Sequence, residues 1–538
     1  MFGKIKNINI LSPQETILCL YSRLSKTDKL ALFYSFVFWI IAHLFMFTND
    51  FFIYDSVNLF DYSTGLQNGR FLIGPILKLF ANCQIPWVIG IVSGILVSLS
   101  VMFICRLFNV TNKFYILLLS ATVVTFPVLY ATNLFLSSVY IYSLALLTSV
   151  LSIYLLKKET ILRYLFSGIL IFISLACYQA YMPFAVCLLL LSLIFDALEN
   201  KDILKIIKKL IITGMVFMIA AALYYCTWSI LMDIFDISPY NYRGENNVAS
   251  SLFSLGIFER ILRAYRWGVL FIFKGLFYYG NTPLMVVGKT IKFFIAIFFI
   301  ASVFIFMEIK KPTFNNILVT YVLLFALPLG VGLIYVFSPF VPHSLMQFPV
   351  ISVYIGIIAI FQKLLDENHV LKKHGERIAV LLLCISILIN VVCGNAGYSL
   401  NSSSSKTSFS FVSQVVDRIE STAGIDVGTK VCFVSDEFWY CYDYGEDEFE
   451  EKTKTLNGQK AKDAFYAFTV TPAVNVGVPY VDVLINYIND NANYMELEYS
   501  YQDLQDGDYA NNKQVQELKP FPAKNCSVWV NDTLVIRL

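Results

Sequence analysis

Residues 86–106 read PWVIGIVSGILVSLSVMFICR, an apolar run in which Arg106 is the first charged residue. A helix of about 20 apolar residues crosses the hydrocarbon core of a bilayer, because its backbone hydrogen bonds are all internal. Similar runs recur along the chain, at 31–49, 113–132, 138–156, 162–178, 182–197, 207–232, 289–308, 314–337, 346–364 and 377–395. Together these runs predict an all-α polytopic membrane protein with about 11 transmembrane helices.

The composition also indicates a membrane protein. The 538 residues are 57% hydrophobic and 14% charged, whereas soluble domains carry about a quarter charged residues. The formal net charge is +2 and no basic face is evident, so we expect no nucleic-acid partner. We expect no cleavable signal peptide, because about thirty mixed polar residues precede the first apolar run.

Lysine and arginine occur in alternate loops, which orients the helices by the positive-inside rule. The basic loops lie near 106–113, 157–163, 201–209, 310–311 and 363–377. The loops between them, for example 132–138 and 178–183, contain no Lys or Arg. The apolar segment 265–280 carries Arg266 and Lys274, so we expect an interfacial or re-entrant helix there rather than a span.

One orientation then satisfies every loop. Residues 1–30 are predicted to be cytoplasmic, and residues 31–395 to form the transmembrane domain. Two long loops, 50–85 and 233–288, face outward. Residues 396–538 are also extracytoplasmic in this orientation.

Residues 396–538 are numerous enough for a small soluble domain. They open with Asn401-Ser-Ser-Ser-Ser-Lys406, whose composition is typical of a flexible linker. The periodicity of 411–419 predicts an amphipathic helix, and 430–434 predicts a strand. A terminal hairpin around Asn531-Asp532 completes the pattern, and we therefore expect a C-terminal α/β domain.

The first outward loop contains the leading candidates for chemistry. Asp50, Asp55 and Asp61 follow a membrane span and are surrounded by Tyr and Phe residues. A carboxylate near an apolar boundary tends to have a raised pKa, and it can then act as a base or bind a cation. Arg70 follows, and its planar guanidinium suits a phosphate. The alternative is that these are ordinary solvated loop charges.

Three more outward residues are candidate phosphate ligands. Arg243 lies in the second loop, and Arg263 shares a helical face with Arg260 and Arg266. The alternative for this face is attraction to lipid headgroups. His343 lies in a short turn at the end of a span, where an ordinary interfacial histidine is the alternative.

Two motifs resemble those of a known family. Tyr54-Asp55-Ser56, followed about fifteen residues later by Gly69-Arg70-Phe71, is similar to the first-loop signature of the type II O-antigen glucosyltransferase (Gtr) family. The run around Tyr178-Gln179 resembles a Tyr-Gln element of that family. The resemblance covers roughly residues 30–360. The family often has paired acids in place of Tyr54-Asp55 and Trp in place of Phe71, which leaves the role of a metal open.

This resemblance implies a GT-C-type glycosyltransferase of the bacterial inner (plasma) membrane. Such an enzyme moves a hexose, here glucose, from a polyprenyl-phosphate donor to a cell-surface polysaccharide or O-antigen. The implied catalytic base is Asp55, with Asp50 as the second candidate. Arg70, Tyr178 and Gln179 are the implied substrate-binding or phosphate-binding residues. The resemblance further implies a flippase and a polyprenyl-phosphate glucosyl synthase as partners, and it leaves a divalent cation open.

A different class of function is also compatible with a polytopic chain, namely a transporter or flippase of lipid-linked saccharides. Transporters favour internal repeats and ionisable residues near the membrane midplane. The predicted spans are nearly free of charge and show no repeat between the two halves of the chain. These observations favour the enzyme.

Overall fold

Helices dominate the computed structural model of the chain. It describes residues 12–49, 62–79, 85–237, 256–274, 283–337, 344–435, 485, 488–489, 493–505 and 507–538. The first ten α-helices are α1 (Pro13–Ser22), α2 (Lys26–Thr48), α3 (Tyr62–Gln67), α4 (Ile73–Leu79), α5 (Pro86–Phe108), α6 (Lys113–Val124), α7 (Pro127–Asn133), α8 (Val139–Leu155), α9 (Ile161–Cys177) and α10 (Met182–Leu198).

The remaining α-helices are α11 (Ile203–Ile234), α12 (Ile257–Phe273), α13 (Pro283–Lys310), α14 (Phe314–Val331), α15 (Ile334–Phe337), α16 (Ile351–Lys363), α17 (Val370–Glu420) and α18 (Lys513–Gln516). Within the part of the chain that the structure describes, three 3-10 helices interrupt the series, η1 (Leu136–Ser138), η2 (Gln179–Tyr181) and η3 (Ser344–Val350). The strands are β1 (Lys430–Ser435), β2 (Glu498–Asp503), β3 (Ser527–Val530) and β4 (Thr533–Arg537).

The predicted spans correspond to helices. Among the described residues, nine helices are long and apolar enough to cross a membrane. A tenth crossing forms if α6 and α7, which are bent by 46°, are counted as one broken span. The predicted span 162–178 is α9, an apolar helix of 17 residues. A helix lies at every predicted span, so the prediction of an all-α polytopic membrane protein is confirmed.

Short polar signals set where the long helices begin. Ser25 caps α2 in a capping box with Asp28, in which each side chain accepts a hydrogen bond from the backbone N–H of the other residue. Asn112 caps α6 by accepting from the backbone N–H groups of Phe114 and Tyr115. These caps satisfy N–H groups that have no partner within the helix, and they hold the helix starts at the polar edge of the bundle.

The helix ends collect at two ends of the bundle, because successive long helices alternate in direction. Ion pairs join the loops of one end, which we call the basic end: Arg106 Nε to Asp28 Oδ1 at 2.7 Å, Lys363 to Glu199, and Lys310 to Glu367. The opposite end, which we call the site end, holds α3, α4, η1, η2 and η3. The loops at the basic end are therefore the ones in which the sequence has Lys and Arg residues.

Three segments that depart from α-helical geometry meet at the site end. They are the break between α6 and α7 at Thr125 and Phe126, η2 and η3. The ring of Phe348 in η3 lies edge-on to the rings of Phe126, Tyr181 and Phe184, with centroid distances of 5.8, 5.2 and 4.9 Å. Irregular backbone at membrane depth is tolerated only where protein or an internal cavity surrounds it. All four aromatic side chains are buried, as this rule requires.

Helix α17 corrects one expectation. It runs without a break from Val370 to Glu420, so the serine run predicted as a flexible linker is helical. A serine costs only about 0.5 kcal/mol relative to alanine in a helix. Tyr398 and Asn401 are buried at the start of the run, and Tyr398 Oη lies 2.9 Å from His43 Nδ1 of α2. These contacts extend the helix beyond the predicted boundary at 396.

The chain after α17 forms a small α/β unit. Its four strands have the order β2-β1-β4-β3, with β1 parallel to both neighbours and β3 antiparallel to β4. One face of the sheet packs against the amphipathic side of α17, formed by Val412, Val415, Val416 and Ile419. The predicted helix at 411–419, the first strand and the terminal hairpin are confirmed.

Residues 265–273 of the segment predicted to be interfacial or re-entrant belong to α12, and residues 275–280 lie outside the described residues. Within the described residues, α12 is not among the helices that qualify as spans. It crosses α14 at very short range, since a Cβ on Gly268 would lie 1.8 Å from the carbonyl oxygen of Pro328. Glycine is required at this crossing, which fixes α12 against the site-end half of α14.

Candidate functional site

The Gly69-Arg70 turn lies between α3 and α4. The Gly69 amide donates to Leu66 O at 3.0 Å, and the Arg70 amide donates to Gly65 O at 2.8 Å. Gly69 has a φ of +72°, a conformation that side chains with a Cβ rarely adopt. A Cβ at Gly69 would also lie 2.2 Å from Tyr224 Oη. Both the backbone angle and the close contact therefore require glycine.

Three side chains from other elements bind the carbonyl groups of this turn. Gln179 Nε2 donates to Asn68 O at 2.7 Å, and Tyr224 Oη donates to Gly69 O at 3.0 Å. Trp228 Nε1 donates to Leu66 O at 2.7 Å. Gln179 Nε2 also lies 2.8 Å from Tyr224 Oη, so η2 and α11 hold the turn together.

The side chain of Arg70 lies among aromatic rings. Its guanidinium carbon is 4.9 Å from the centroid of the Tyr178 ring, and its Nη1 donates to Tyr142 Oη at 3.3 Å. The rings of Tyr142 and Tyr178 are stacked at 4.2 Å and both are buried. A cation over an aromatic face is attracted by the ring quadrupole. Arg70 itself is half-buried, and its planar group is held in one orientation.

Apolar contacts anchor the chain just after the turn. The ring of Phe71 is stacked on the ring of Tyr224, with a centroid distance of 5.7 Å. The centroid of the Phe172 ring, on α9, lies 6.0 Å from that of Phe71. The Leu72 amide donates to Ala176 O at 3.2 Å. The loop is therefore fixed to α9 and α11 on both sides of Arg70.

We call this set the Arg70 cluster: Asn68, Gly69, Arg70, Tyr142, Tyr178, Gln179, Tyr224 and Trp228. Gly69-Arg70, from the described part of the first-loop motif, and Tyr178-Gln179, from the second motif, lie together in it, although they are distant in sequence. Tyr54-Asp55-Ser56 of the first motif lie outside the described residues. Arg70 contributes a planar guanidinium, the group that suits phosphate and carboxylate oxygens. The amide of Gln179 contacts the loop backbone, which gives Gln179 a positioning role.

The other predicted site residues are placed differently. Asp50, Asp55, Arg243 and His343 lie outside the described residues. Arg263 is half-buried on α12, next to the close crossing of that helix with α14.

Sequence reasoning missed three members of the cluster, Tyr142, Tyr224 and Trp228. Each lies within an apolar helix, where aromatic residues are common and form no motif. The one sequence signal that could have found Tyr224 and Trp228 is their spacing of four residues, which places both side chains on one face of α11.

The described residues contain no group of three or more His, Cys, Asp or Glu side chains that could hold a metal ion. The three acids of the first loop, where a divalent cation was left open, lie outside this part of the chain.

A family model described as Glucosyl transferase GtrII matches residues 44–361, which is more than half of the chain. The matched region contains the whole Arg70 cluster and excludes the C-terminal α/β unit. The chain matches no curated protein and no solved structure.

Proposed function

The chain belongs to the GtrII glucosyl transferase family, and on this premise we propose that it moves glucose from a polyprenyl-phosphate donor to a cell-surface polysaccharide or O-antigen. Its family and its apolar helices make it a membrane glycosyltransferase. The observation that carries the finer proposal is the meeting of Gly69-Arg70 with Tyr178-Gln179 at the site end.

The distribution of charge supports an outward-facing site end. Basic loops remain in the cytoplasm during insertion, which assigns the basic end to the cytoplasmic face. Residues 1–30 are then cytoplasmic, residues 31–395 form the membrane domain and residues 396–538 are extracytoplasmic. Nucleotide sugars do not reach the outer face of a bacterial inner membrane. A lipid-linked sugar does, once a synthase has made it and a flippase has moved it across.

The proposed reaction is a single displacement at the anomeric carbon. Asp55 takes the proton from an acceptor hydroxyl while the hydroxyl oxygen bonds to that carbon. The bond between the anomeric carbon and the phosphate oxygen breaks, and its electron pair leaves with polyprenyl phosphate. The configuration at the anomeric carbon inverts. Asp50 is the second candidate for the base, and both assignments rest on the motif.

Arg70 is proposed to stabilise the charge that develops on the leaving phosphate. A guanidinium offers paired N–H donors in a plane that matches phosphate oxygens. Preorganised donors of this kind stabilise a transition state without reorganising during the reaction. The contacts with Tyr178 and Tyr142 supply that preorganisation.

Three more residues are proposed as ligands of the donor, namely Arg243, Arg263 and His343. The half-buried position of Arg263 at the site end is compatible with this role. The match to a family of transferases favours an enzyme over the alternative of a transporter or flippase.

An assay in membrane vesicles tests the donor. Vesicles that contain the full chain are incubated with radiolabelled polyprenyl-phosphate glucose and an acceptor polysaccharide, and label in the polysaccharide is counted. We expect transfer from the lipid donor and none from labelled nucleotide glucose. Transfer from the nucleotide sugar, or movement of the lipid across the membrane without transfer, contradicts the proposal.

A further inference from the structure

An open groove runs along the N-terminal part of α17, at the basic end of the bundle. Its volume is about 600 Å³. Among the described residues, the groove is lined by Lys373, Glu376, Arg377, Val380, Leu381 and Cys384. These positions recur every three or four residues, so they form one stripe along the helix. We call this feature the α17 groove.

The α17 groove is polar at one end and apolar at the other. Its three charged residues lie nearer the start of α17, and the apolar residues follow. Cys384 lies about 10 Å deeper along the helix axis than Arg377. The first thirty residues of α17, Val370–Ser399, form a candidate membrane span. This gradient suits an amphiphile whose headgroup stays at the membrane surface while its chain enters the hydrocarbon core.

The polar end of the groove carries an excess of positive charge. Both oxygens of the Glu376 carboxylate are engaged, because Oε1 accepts a hydrogen bond from Tyr115 Oη and Oε2 lies 3.4 Å from Lys372 Nζ. The side chains of Lys373 and Arg377 are exposed. Neither forms an ion pair within the part of the chain that the structure describes. These two cations are therefore left to attract an anion from outside the protein.

A second groove at the basic end provides a comparison. It has a volume of about 670 Å³ and lies between α13, α14 and the start of α17. Its described lining contains one acid, Glu308, and one cation, Lys311, so these charges balance. The two grooves are similar in size and in position along the bundle. Their difference in charge therefore predicts that only the α17 groove selects among lipid headgroups.

We propose that the α17 groove binds an anionic phospholipid of the surrounding membrane. The phosphate lies between Lys373 and Arg377, and an acyl chain follows Val380, Leu381 and Cys384. Residues four apart on a helix are neighbours, so both cations can reach one phosphate. Basic pockets beside membrane helices are typical sites for anionic headgroups, and arginine offers paired donors to phosphate oxygens. The groove lies at the end of the bundle opposite the Arg70 cluster, and the inference does not depend on the proposed reaction.

Native mass spectrometry of the purified full-length chain with two added lipids tests the proposal. The probes are phosphatidylglycerol and phosphatidylethanolamine with identical acyl chains. We expect the wild type to bind its first phosphatidylglycerol at least about tenfold more tightly than its first phosphatidylethanolamine. The double variant Lys373→Met/Arg377→Met loses most of this preference, whereas Lys373→Arg/Arg377→Lys keeps it. Lys311→Met, the control at the charge-balanced groove, behaves like the wild type.

Three results would overturn the proposal. The first is a preference for phosphatidylglycerol that survives in a folded double methionine variant. The second is an equal loss of preference in Lys311→Met, because the attraction would then come from the surface charge of the whole basic end. The third is displacement of the lipid by an excess of free glycerol phosphate, since the groove would then take a soluble phosphate ester rather than a lipid.

The wild type provides a further test that needs no variant. Nanodiscs that contain the full chain and phosphatidylglycerol with a photoreactive headgroup are irradiated, and the labelled peptides are identified. We expect label in the peptides that cover residues 370–384. Label confined to residues 304–321, or absent from 370–384, contradicts the proposal.

Discussion

Gln179 Nε2 donates a hydrogen bond to the backbone carbonyl of Asn68 at 2.7 Å, across a separation of 111 residues. The contact joins the Tyr178-Gln179 element to the residue that precedes Gly69-Arg70-Phe71, the described part of the first-loop motif. It shows that Gln179 holds the backbone that carries Arg70. The Tyr-Gln element thus supports the first loop in two ways, through the Tyr178 ring and through the Gln179 amide.

Replacing Gln179 tests this positioning role. Gln179→Ala removes one donor to the carbonyl of Asn68 and to the hydroxyl of Tyr224, and the loss of a hydrogen bond to a buried group costs about 1–3 kcal/mol. We expect transfer to fall about ten- to a hundredfold through kcat, in addition to a loss of stability that is measured as a lower melting temperature in detergent. The matched control is Gln362→Ala at the basic end, where Gln362 Oε1 accepts from the amides of Thr111 and Asn112. The control should lower stability without a selective loss of kcat.

Gly69 is predicted to tolerate no side chain. Gly69→Ala introduces a Cβ 2.2 Å from Tyr224 Oη at a φ of +72°. The turn must shift, so we expect a loss of transfer of about a hundredfold or more, in line with the cost of misplacing a catalytic group by 1 Å. Gly214→Ala on α11 is the control, because a Cβ there meets nothing within 4 Å. Equal activity of the two alanine variants would show that the turn geometry is unimportant.

Arg70 is expected to act on the phosphate through its planar shape as well as its charge. Arg70→Lys keeps the charge but loses the paired donors and the flat contact with Tyr178. We expect about a tenfold or larger drop in kcat/KM for the lipid donor, and a larger drop for Arg70→Met. Tyr142→Phe removes only the bond to Nη1 and should have a smaller effect. The kinetics are measured in vesicles at saturating acceptor, and an unchanged kcat/KM in Arg70→Lys would rule out the paired-donor role.

The continuity of α17 can be measured directly. Spin labels at Leu388 and Lys406, two exposed positions, are separated by about 27 Å along a continuous helix. Double electron–electron resonance in nanodiscs should give a narrow distribution near that distance, allowing for the label arms. A broad distribution with a shorter mean would support the flexible linker that the serine run suggested.

Much of this architecture could be predicted because hydrophobic length and loop charge determine where membrane helices lie. Those two properties located every described span. The prediction of a flexible linker at 401–406 was wrong, because the composition of this serine run is typical of a linker although the run is helical. Buried contacts of Tyr398 and Asn401 override this local preference, and such contacts have no signature in a single sequence.

The site was predictable only in part for a related reason. Arg70 could be found as a guanidinium in the first outward loop, and Tyr178 and Gln179 through the resemblance of their run to a family motif. Tyr224 and Trp228 could not, because an aromatic residue in a membrane helix usually packs against other helices or lies at the lipid interface.

The most direct test of the whole account is the transfer assay with Asp55→Asn in vesicles that contain the full chain. The amide is nearly isosteric with the carboxylate but cannot accept the acceptor proton at neutral pH, so we predict a loss of about a hundredfold to ten-thousandfold in glucose transfer. Asp366→Asn, an exposed position at the basic end, is the matched control and should retain full activity. Full transfer by a correctly inserted Asp55→Asn variant would contradict the proposed mechanism.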